Sequence, residues 1–318
     1  MSPRQRFLAC LDRQPITGRV PTFELAFYLT MEAFGTVHPC HRLYDQWMQM
    51  RLEEQRLHRR DVASVLIKTA ERYEHSAICL HPRPEMEQEI LAAITATREL
   101  CGDKYAIFYH GDATFAIPDG STMEGFSVRM VEEPESLKRE AQAKVDAALR
   151  RAEAIHRHGG LDGFVMCSDY CFNRAPFFSR NMFAEFVAPY LEQLIRAYRG
   201  MGFYTIKHTD GAVMPILDMI VECAPHAIHS LDPQGGVDLA EVKRLYGNRV
   251  ALCGNVNCSL LDTGTRDQIE ADARRALRQG MPGGGFIFCT SNTAYTGMPL
   301  KNYEAMIELW RNEGNYPL

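Results

Sequence analysis

From residue 160 onwards, short apolar segments alternate regularly with longer amphipathic ones. Each apolar segment has the length of a buried strand, and the segment after it repeats its apolar residues at helical spacing. Five strand-then-helix units in succession indicate a parallel sheet with helices outside it, because parallel neighbours need a crossover connection. The predicted strands cover residues 163–167, 203–207, 227–231, 249–253 and 283–289.

Each of these strands is followed by polar side chains at its carboxyl end. They are Asp169, His208 with Asp210, Asp232, Asn255 with Asn257, and Asn292. On an open sheet only the strand ends near one crevice are functional, whereas on a closed barrel all of them converge. The pattern therefore favours an α/β fold, a single (β/α)8 TIM barrel over residues 1–318 with an N-terminal helical extension at 3–14.

The stretch from 203 to 211 is the most informative of the five. His208 and Asp210 lie two residues apart in an extended segment, so their side chains point the same way. Asp210 could equally cap a helix predicted over 211–223, by accepting a bond from an early helical N–H. From these residues alone, a catalytic pair and a purely architectural pair both stay open.

The N-terminal half is less regular. Here Glu24 is a candidate for catalysis at a strand end, with a surface salt bridge as the alternative. Phe27 and Tyr109 are candidates for substrate binding, although aromatic residues near strand ends more often serve packing. We predict a charged helix over 41–60, strands at 62–68, 76–80 and 105–111, and helices over 85–100 and 134–158.

The composition argues against two classes of partner, nucleic acid and the membrane. The net charge of −5 over 318 residues, without a run of Lys or Arg, argues against nucleic acid. No 18-residue apolar run is present, which argues against a membrane span. Ten cysteines are scattered without a paired framework, and those in apolar strands, such as Cys167, Cys253 and Cys289, read as reduced core thiols. We therefore expect a cytoplasmic protein.

Several segments together carry a family resemblance. They are His208-Thr209-Asp210-Gly211 and residues 247–256, 260–265, 283–287 and 299–306. In these the chain resembles the uroporphyrinogen decarboxylase-like superfamily, which includes the corrinoid-dependent methyltransferases. The resemblance covers most of the chain, is strongest from about residue 160, and also implies a single (β/α)8 barrel.

Two departures from the family pattern indicate to which branch of the superfamily the chain is most similar. Porphyrinogen decarboxylases carry an N-terminal Arg-rich motif that grips substrate carboxylates, but residues 21–28 contain no arginine. A tetra-acidic or octa-acidic substrate needs several cationic clamps, so such a substrate is disfavoured. The thiol-directed methyltransferases hold zinc with a His-x-Cys pair and a later Cys, and related methionine synthases add a Glu. The matching positions here are His208, Asp210, Asp232 and Asn292.

Without sulfur ligands, zinc-activated methylation of a thiol is disfavoured, because soft donors keep a bound thiolate nucleophilic. Methylation of a thiol or of tetrahydrofolate from a methylcorrinoid remains a further alternative. His208, Asp210 and Asp232 could still bind zinc through nitrogen and oxygen. Equally, they could form a metal-free acid–base cluster.

The resemblance implies a methyltransferase that moves a methyl group between a small O-methyl substrate, such as a methoxylated aromatic, and the corrinoid (cobalamin) of a partner protein. His208 would protonate the leaving oxygen, since neighbouring carboxylates raise a histidine pKa. Asp210, Asp169 and Glu24 complete the expected catalytic set. The expected binding residues are Asp232, Asn255, Asn257, Asn292, Tyr109 and Phe27.

Two other functions stay open. One is a lyase that decarboxylates a smaller acid with the same strand-end groups, or a porphyrinogen-like one. The other is a non-enzymatic corrinoid- or ligand-binding barrel. The sequence leaves open whether the chain is a monomer or a homodimer.

Overall fold

Seven parallel strands follow one another around a curled sheet in chain order. The computed structural model of the chain describes residues 1–42 and 46–316. Each strand is hydrogen-bonded in parallel to the next one along the chain. The strands are β1 (Ala77–Leu80), β2 (Ala106–His110), β3 (Gly163–Cys167), β4 (Tyr204–Thr209), β5 (Ala227–Ser230), β6 (Ala251–Val256) and β7 (Phe286–Thr290).

Helices connect successive strands, as the alternation predicts. Within the described ranges they are α1 (Pro3–Leu11), α2 (Thr30–Phe34), α3 (Leu52–Tyr73), α4 (Glu87–Cys101), α5 (Met123–Glu132), α6 (Pro134–His158), α7 (Arg180–Phe186), α8 (Ala188–Gly200), α9 (Leu217–Glu222), α10 (Leu239–Tyr246), α11 (Cys258–Thr263), α12 (Arg266–Gly280) and α13 (Leu300–Glu313). None of these helices combines the length and the apolar character that crossing a bilayer requires.

Residues 20–28 occupy the eighth position of the ring, between β7 and β1. Thr22 and Phe288 form a parallel bridge on one side, as do Phe27 and Ala294. On the other side the N–H of Ser76, just before β1, donates to the carbonyl of Thr22 at 2.6 Å. The sheet therefore closes on itself, and the predicted α/β TIM-barrel architecture is confirmed.

The N-terminal helix closes one end of the ring. Phe7 of α1 inserts among the interior side chains, with its ring 5.3 Å from that of Phe23 and 5.6 Å from that of Phe108. The thiol of Cys10 donates to the carbonyl of Phe286 at the start of β7. The helix thus covers the amino ends of the strands and leaves their carboxyl ends open.

Two local predictions fail in the N-terminal half. Residues 62–68 lie within α3 and form no strand, because the buried residues Ala63, Ala70 and Tyr73 recur at helical spacing along one face. The helix predicted over 41–60 begins only at Leu52. Part of that prediction falls on residues 43–45, outside the described residues.

Glu24 lies in the closing segment, buried on the outer side of the barrel wall. Its carboxylate accepts bonds from the N–H of Thr290 at 3.2 Å and from the hydroxyl of Thr290 at 2.6 Å. Burial raises the pKa of Glu24 to about 8, although these bonds act in the opposite direction. The folded chain therefore holds a protonated Glu24 at neutral pH.

Because Glu24 binds its proton more tightly in the folded chain than in the unfolded one, it makes stability fall as pH rises between 5 and 8. The slope from this group is at most about 1.4 kcal/mol per pH unit. We expect Glu24→Gln to flatten that part of the profile and to stabilise the fold above pH 8. Urea unfolding across this pH range measures the effect, with the exposed Glu192→Gln as the matched control. An unchanged slope in Glu24→Gln would contradict the assignment.

Candidate active site

Four polar side chains meet at the carboxyl ends of β3, β4 and β7, and we call them the acid–base cluster: Asp169, His208, Asp210 and Asn292. The Nε2 atom of His208 lies 3.7 Å from an Oδ1 oxygen of Asp169 and 3.7 Å from one of Asp210. The amide of Asn292 donates to the other oxygen of Asp210. The β3–β4 register pairs Cys167 with His208, which brings Asp169 alongside the imidazole.

His208 is buried and contacts a second histidine, with 2.7 Å between its Nδ1 and the Nδ1 of His229. The carboxylates beside Nε2 favour the tautomer with the proton there, so that Nδ1 accepts from His229. Burial lowers the pKa of His208 to about 4 although Asp169 opposes the shift, and burial also lowers that of His229. The expectation that the neighbouring carboxylates raise the pKa of His208 is therefore wrong, because desolvation outweighs them.

Asp210 is the proton-bearing group of the cluster. Burial raises its pKa to about 7, and the charges of Asp169 and Asp232 add to the shift. Its buried Oδ1 has no hydrogen-bond partner among the described residues. Asp210 does not cap a helix as predicted, because α9 begins only at Leu217 with Ile216 in the capping position. Its carboxyl group is therefore free for the site.

The backbone around Asp210 is fixed by glycines. Gly211 has φ of +79°, and a Cβ there would lie 2.6 Å from the carbonyl oxygens of both Cys171 and Phe172. A Cβ on Gly235 would meet the backbone of Gly211 at 2.1 Å. The loops after β3, β4 and β5 thus touch through main-chain atoms, which only glycine allows at these two positions.

Lys207 points away from the cluster and is fully buried behind the strand wall. Its ammonium donates to the carboxylate of Asp112 at 2.8 Å and to the carbonyls of Ser168 at 2.9 Å and Met166 at 3.2 Å. Burial alone would raise the pKa of Asp112, but the Lys207 charge prevails and holds that pKa below its ordinary value. Lys207 therefore fixes the end of β3, and with it Asp169.

Asp232 lies next to the acid–base cluster, but its carboxylate is hydrogen-bonded within its own turn. Its Oδ1 accepts from the N–H of Gln234 at 3.0 Å and so caps the turn at Pro233–Gly235. Burial raises the pKa of Asp232. The three ligand atoms that lie within 4.8 Å of one another belong to Asp169, His208 and Asp210. Asp169, rather than Asp232, therefore completes this group of three atoms with His208 and Asp210, and metal binding here stays a prediction.

The side chains of Asn255 and Asn257 form hydrogen bonds that hold neighbouring loops and a helix end in place. Asn255 is fully buried, donates to the carbonyl of Leu231 at 2.7 Å and accepts from Arg275 at 3.1 Å. Asn257 caps α11 by accepting from the N–H of Ser259 at 2.9 Å. Neither side chain reaches the acid–base cluster, because each is already held by nearby partners.

Three N-terminal candidates lie on the outer side of the wall. Tyr109 packs among the core residues between strands and helices, whereas its neighbour His110 faces the mouth of the barrel. Phe27 packs against Tyr73 and Tyr303, with centroids 4.9 and 5.0 Å away. Glu24 is on this side too, as described above. The structure therefore does not bring these three to the cluster.

A second group of side chains, not anticipated from the sequence, lies at the ends of β1 and β2. We call Cys79, His81 and His110 the Cys–His cluster; their sulfur and ring nitrogens lie within 4.8 Å of one another. Cys79 and His81 have the same two-residue spacing as His208 and Asp210, which was the available signal. Their partner His110 comes from another strand, so the spacing alone could not identify the group.

Comparison with known proteins supports both the fold and the family. The model of the family described as uroporphyrinogen decarboxylase matches residues 67–313. The uroporphyrinogen decarboxylase of Chlorobium luteolum is 22% identical over 209 residues, or 62% of this chain and 56% of that protein. That of Mannheimia succiniciproducens is 25% identical over 253 residues, or 73% of this chain and 67% of that protein. The chain thus aligns with little more than half of the first relative.

Solved structures support the fold alone. A putative vitamin-B12 independent methionine synthase from Listeria monocytogenes superposes with a TM-score of 0.52 at 11% identity, over 93% of this chain and 98% of that one. A GH5_18 protein from Streptomyces cattleya, in complex with GlcNAc, gives a TM-score of 0.52 at 11% identity, over 95% and 83%.

Removing the Asn292 amide should raise the pKa of Asp210 above about 7, because its bond to the carboxylate favours the ionised form. We expect Asn292→Ala to move the titration of the Asp210 carboxyl carbon upwards in ¹³C NMR spectra of aspartate-labelled protein. Asn257→Ala, which removes the cap of α11 and a bond accepted from Gln234 but no contact to Asp210, is the matched control and should leave that titration in place. A titration unaltered by Asn292→Ala would show that the amide does not tune Asp210.

Proposed function

Because the chain belongs to the uroporphyrinogen decarboxylase family, we propose that it is a lyase that removes carbon dioxide from a small carboxylic acid at the acid–base cluster. The observation that carries this proposal is the partly buried carboxyl group of Asp210, which lies beside His208. Its pKa of about 7 leaves a proton available at neutral pH, 3.7 Å from Nε2 of His208. Acid–base catalysis works best when the pKa of the acid lies near the working pH.

Decarboxylation breaks the bond between the substrate carbon and its carboxylate, and the electron pair of that bond stays on the carbon. A proton from Asp210 then replaces the departing carbon dioxide. The N–H at Nε2 of His208, in a neutral ring, is placed to donate a hydrogen bond to negative charge that develops during the reaction. The half-exposed carboxylate of Asp169 links the cluster to solvent, from which Asp210 regains its proton.

The charges around the cluster limit the substrate. Asp169 and Asp210 form no ion pair with an arginine or lysine in the described part of the chain. Residues 21–28 also contain no arginine that could bind substrate carboxylates. A substrate with several carboxylates would be repelled at each of them, whereas an acid with one carboxylate brings a single negative charge, which passes to the carbon as carbon dioxide leaves and is neutralised by the proton from Asp210. We therefore assign a small monocarboxylic acid rather than a porphyrinogen.

A second candidate is transfer of a methyl group between a small O-methyl substrate, such as a methoxylated aromatic, and a corrinoid protein. It is favoured by the unpartnered Oδ1 of Asp210, because nitrogen and oxygen donors beside such an atom fit a zinc ion. His208, Asp169 and Asp210 would hold that ion, which supplies Lewis-acid polarisation of a substrate oxygen. The corrinoid of the partner supplies the nucleophile, and this chain orients the methyl donor.

Release of labelled carbon dioxide from a panel of ¹³C-carboxyl acids, followed by mass spectrometry, tests the first candidate. We expect kcat to fall as pH rises above about 7, where Asp210 loses its proton. Asp210→Asn should lower kcat by about 10²- to 10⁴-fold across the pH range. Asp238→Asn, which keeps an N-cap on α10, is the matched control and should retain wild-type rates.

A parallel assay with a Co(I) corrinoid protein and methoxylated aromatics distinguishes the two candidate functions. Demethylation of the aromatic without carbon dioxide release from any acid would favour the second candidate. Failure of both assays would overturn both.

A further inference from the structure

The Cys–His cluster occupies the part of the barrel mouth that the proposed chemistry does not use. Cys79 faces the interior from β1, His81 follows two residues later, and His110 ends β2. Cys79 is buried, while His81 and His110 are partly accessible. The Cys–His cluster contains none of the acid–base residues.

The hydrogen bonds of the two histidines fix which nitrogens are free. Nε2 of His81 lies 3.0 Å from the carbonyl of Leu25, and because a carbonyl only accepts, this nitrogen carries the proton. Nδ1 of His81 then carries a lone pair. It lies 2.9 Å from Nε2 of His110, which donates a hydrogen bond to it. A histidine whose far nitrogen donates to a backbone carbonyl is the usual arrangement behind a metal ligand.

From this geometry we propose that Cys79, His81 and His110 form a zinc site, with the sulfur, Nδ1 of His81 and Nε2 of His110 as ligands. One thiolate and two imidazoles are donors that select zinc over magnesium, calcium or manganese. Three protein ligands leave a fourth tetrahedral position for water or a substrate atom, as in catalytic zinc sites. The site is separate from the acid–base cluster and does not rest on the proposed decarboxylation.

Zinc binding requires the two imidazole rings to move apart slightly. Zinc–nitrogen bonds of about 2.0–2.1 Å place two tetrahedral nitrogens roughly 3.4 Å apart, so the rings must separate by about half an ångström. Histidine ligates zinc as a neutral imidazole, and Nδ1 of His81 already accepts a hydrogen bond in that form. Only the Cys79 thiol must lose its proton, and the proton on Nε2 of His110 moves to Nδ1 as zinc takes its place.

Cobalt(II) is a suitable probe because thiolate ligation gives it a charge-transfer absorption that nitrogen and oxygen ligands do not produce. Chelator-treated full-length protein is titrated with cobalt(II) alone and then with zinc. We expect the sulfur band to saturate near one equivalent per chain and to disappear when zinc displaces cobalt. Since the acid–base cluster contains no sulfur, His208→Ala should keep the band, which separates this site from the other.

Cys79→Ser should abolish the sulfur band, whereas Cys253→Ser, on the same interior face in β6, should keep it. His110→Gln changes a partly accessible side chain and should weaken cobalt binding at least about tenfold. Circular dichroism of each variant reports folding, and His110→Gln decides if Cys79→Ser does not fold. A band that survives Cys79→Ser, binding unaffected by His110→Gln, or the absence of saturable binding would each overturn the proposal.

Discussion

One ammonium group behind the strand wall holds the candidate site in register. Lys207 belongs to β4, yet its three bonds reach Asp112 after β2 and the carbonyls of Met166 and Ser168 at the end of β3. A buried charge of this kind is tolerable only because it is paired and fully hydrogen-bonded, and loss of one partner typically costs about 3–5 kcal/mol. The same strand therefore presents His208 to the cavity and fixes Asp169 beside it from the opposite side.

Burial, rather than pairing of opposite charges, sets the protonation states at the mouth. It keeps His208 neutral beside carboxylates and makes Asp210 retain a proton near neutral pH. The same desolvation keeps His81 and His110 neutral on the other side of the opening. One physical effect thus prepares an acid in the first cluster and neutral imidazole donors in the second.

Much of this architecture could be predicted from the chain alone, because alternating strand and helix patterns leave few alternatives to a closed parallel ring. His208, Asp210, Asp169 and Asn292 were found since polar residues at parallel strand ends converge. Side-chain direction was harder: Tyr109 and His110 are adjacent, yet only the strand register shows which one faces the cavity. Asn257 lies in the N-cap position of α11, and a helix cap looks the same in sequence as a binding residue. The Cys–His cluster joins two strands, and no single segment contains it.

The contact between Gly211 and Gly235 makes one wall of the mouth from main-chain atoms. Where loops meet through main-chain atoms, there is no side chain to exchange, and any larger residue collides with a carbonyl. That wall cannot be reshaped without losing the placement of Asp210. In this chain, side chains that can be exchanged while Asp210 keeps its place are found at the ends of β1 and β2, where His81 and His110 lie.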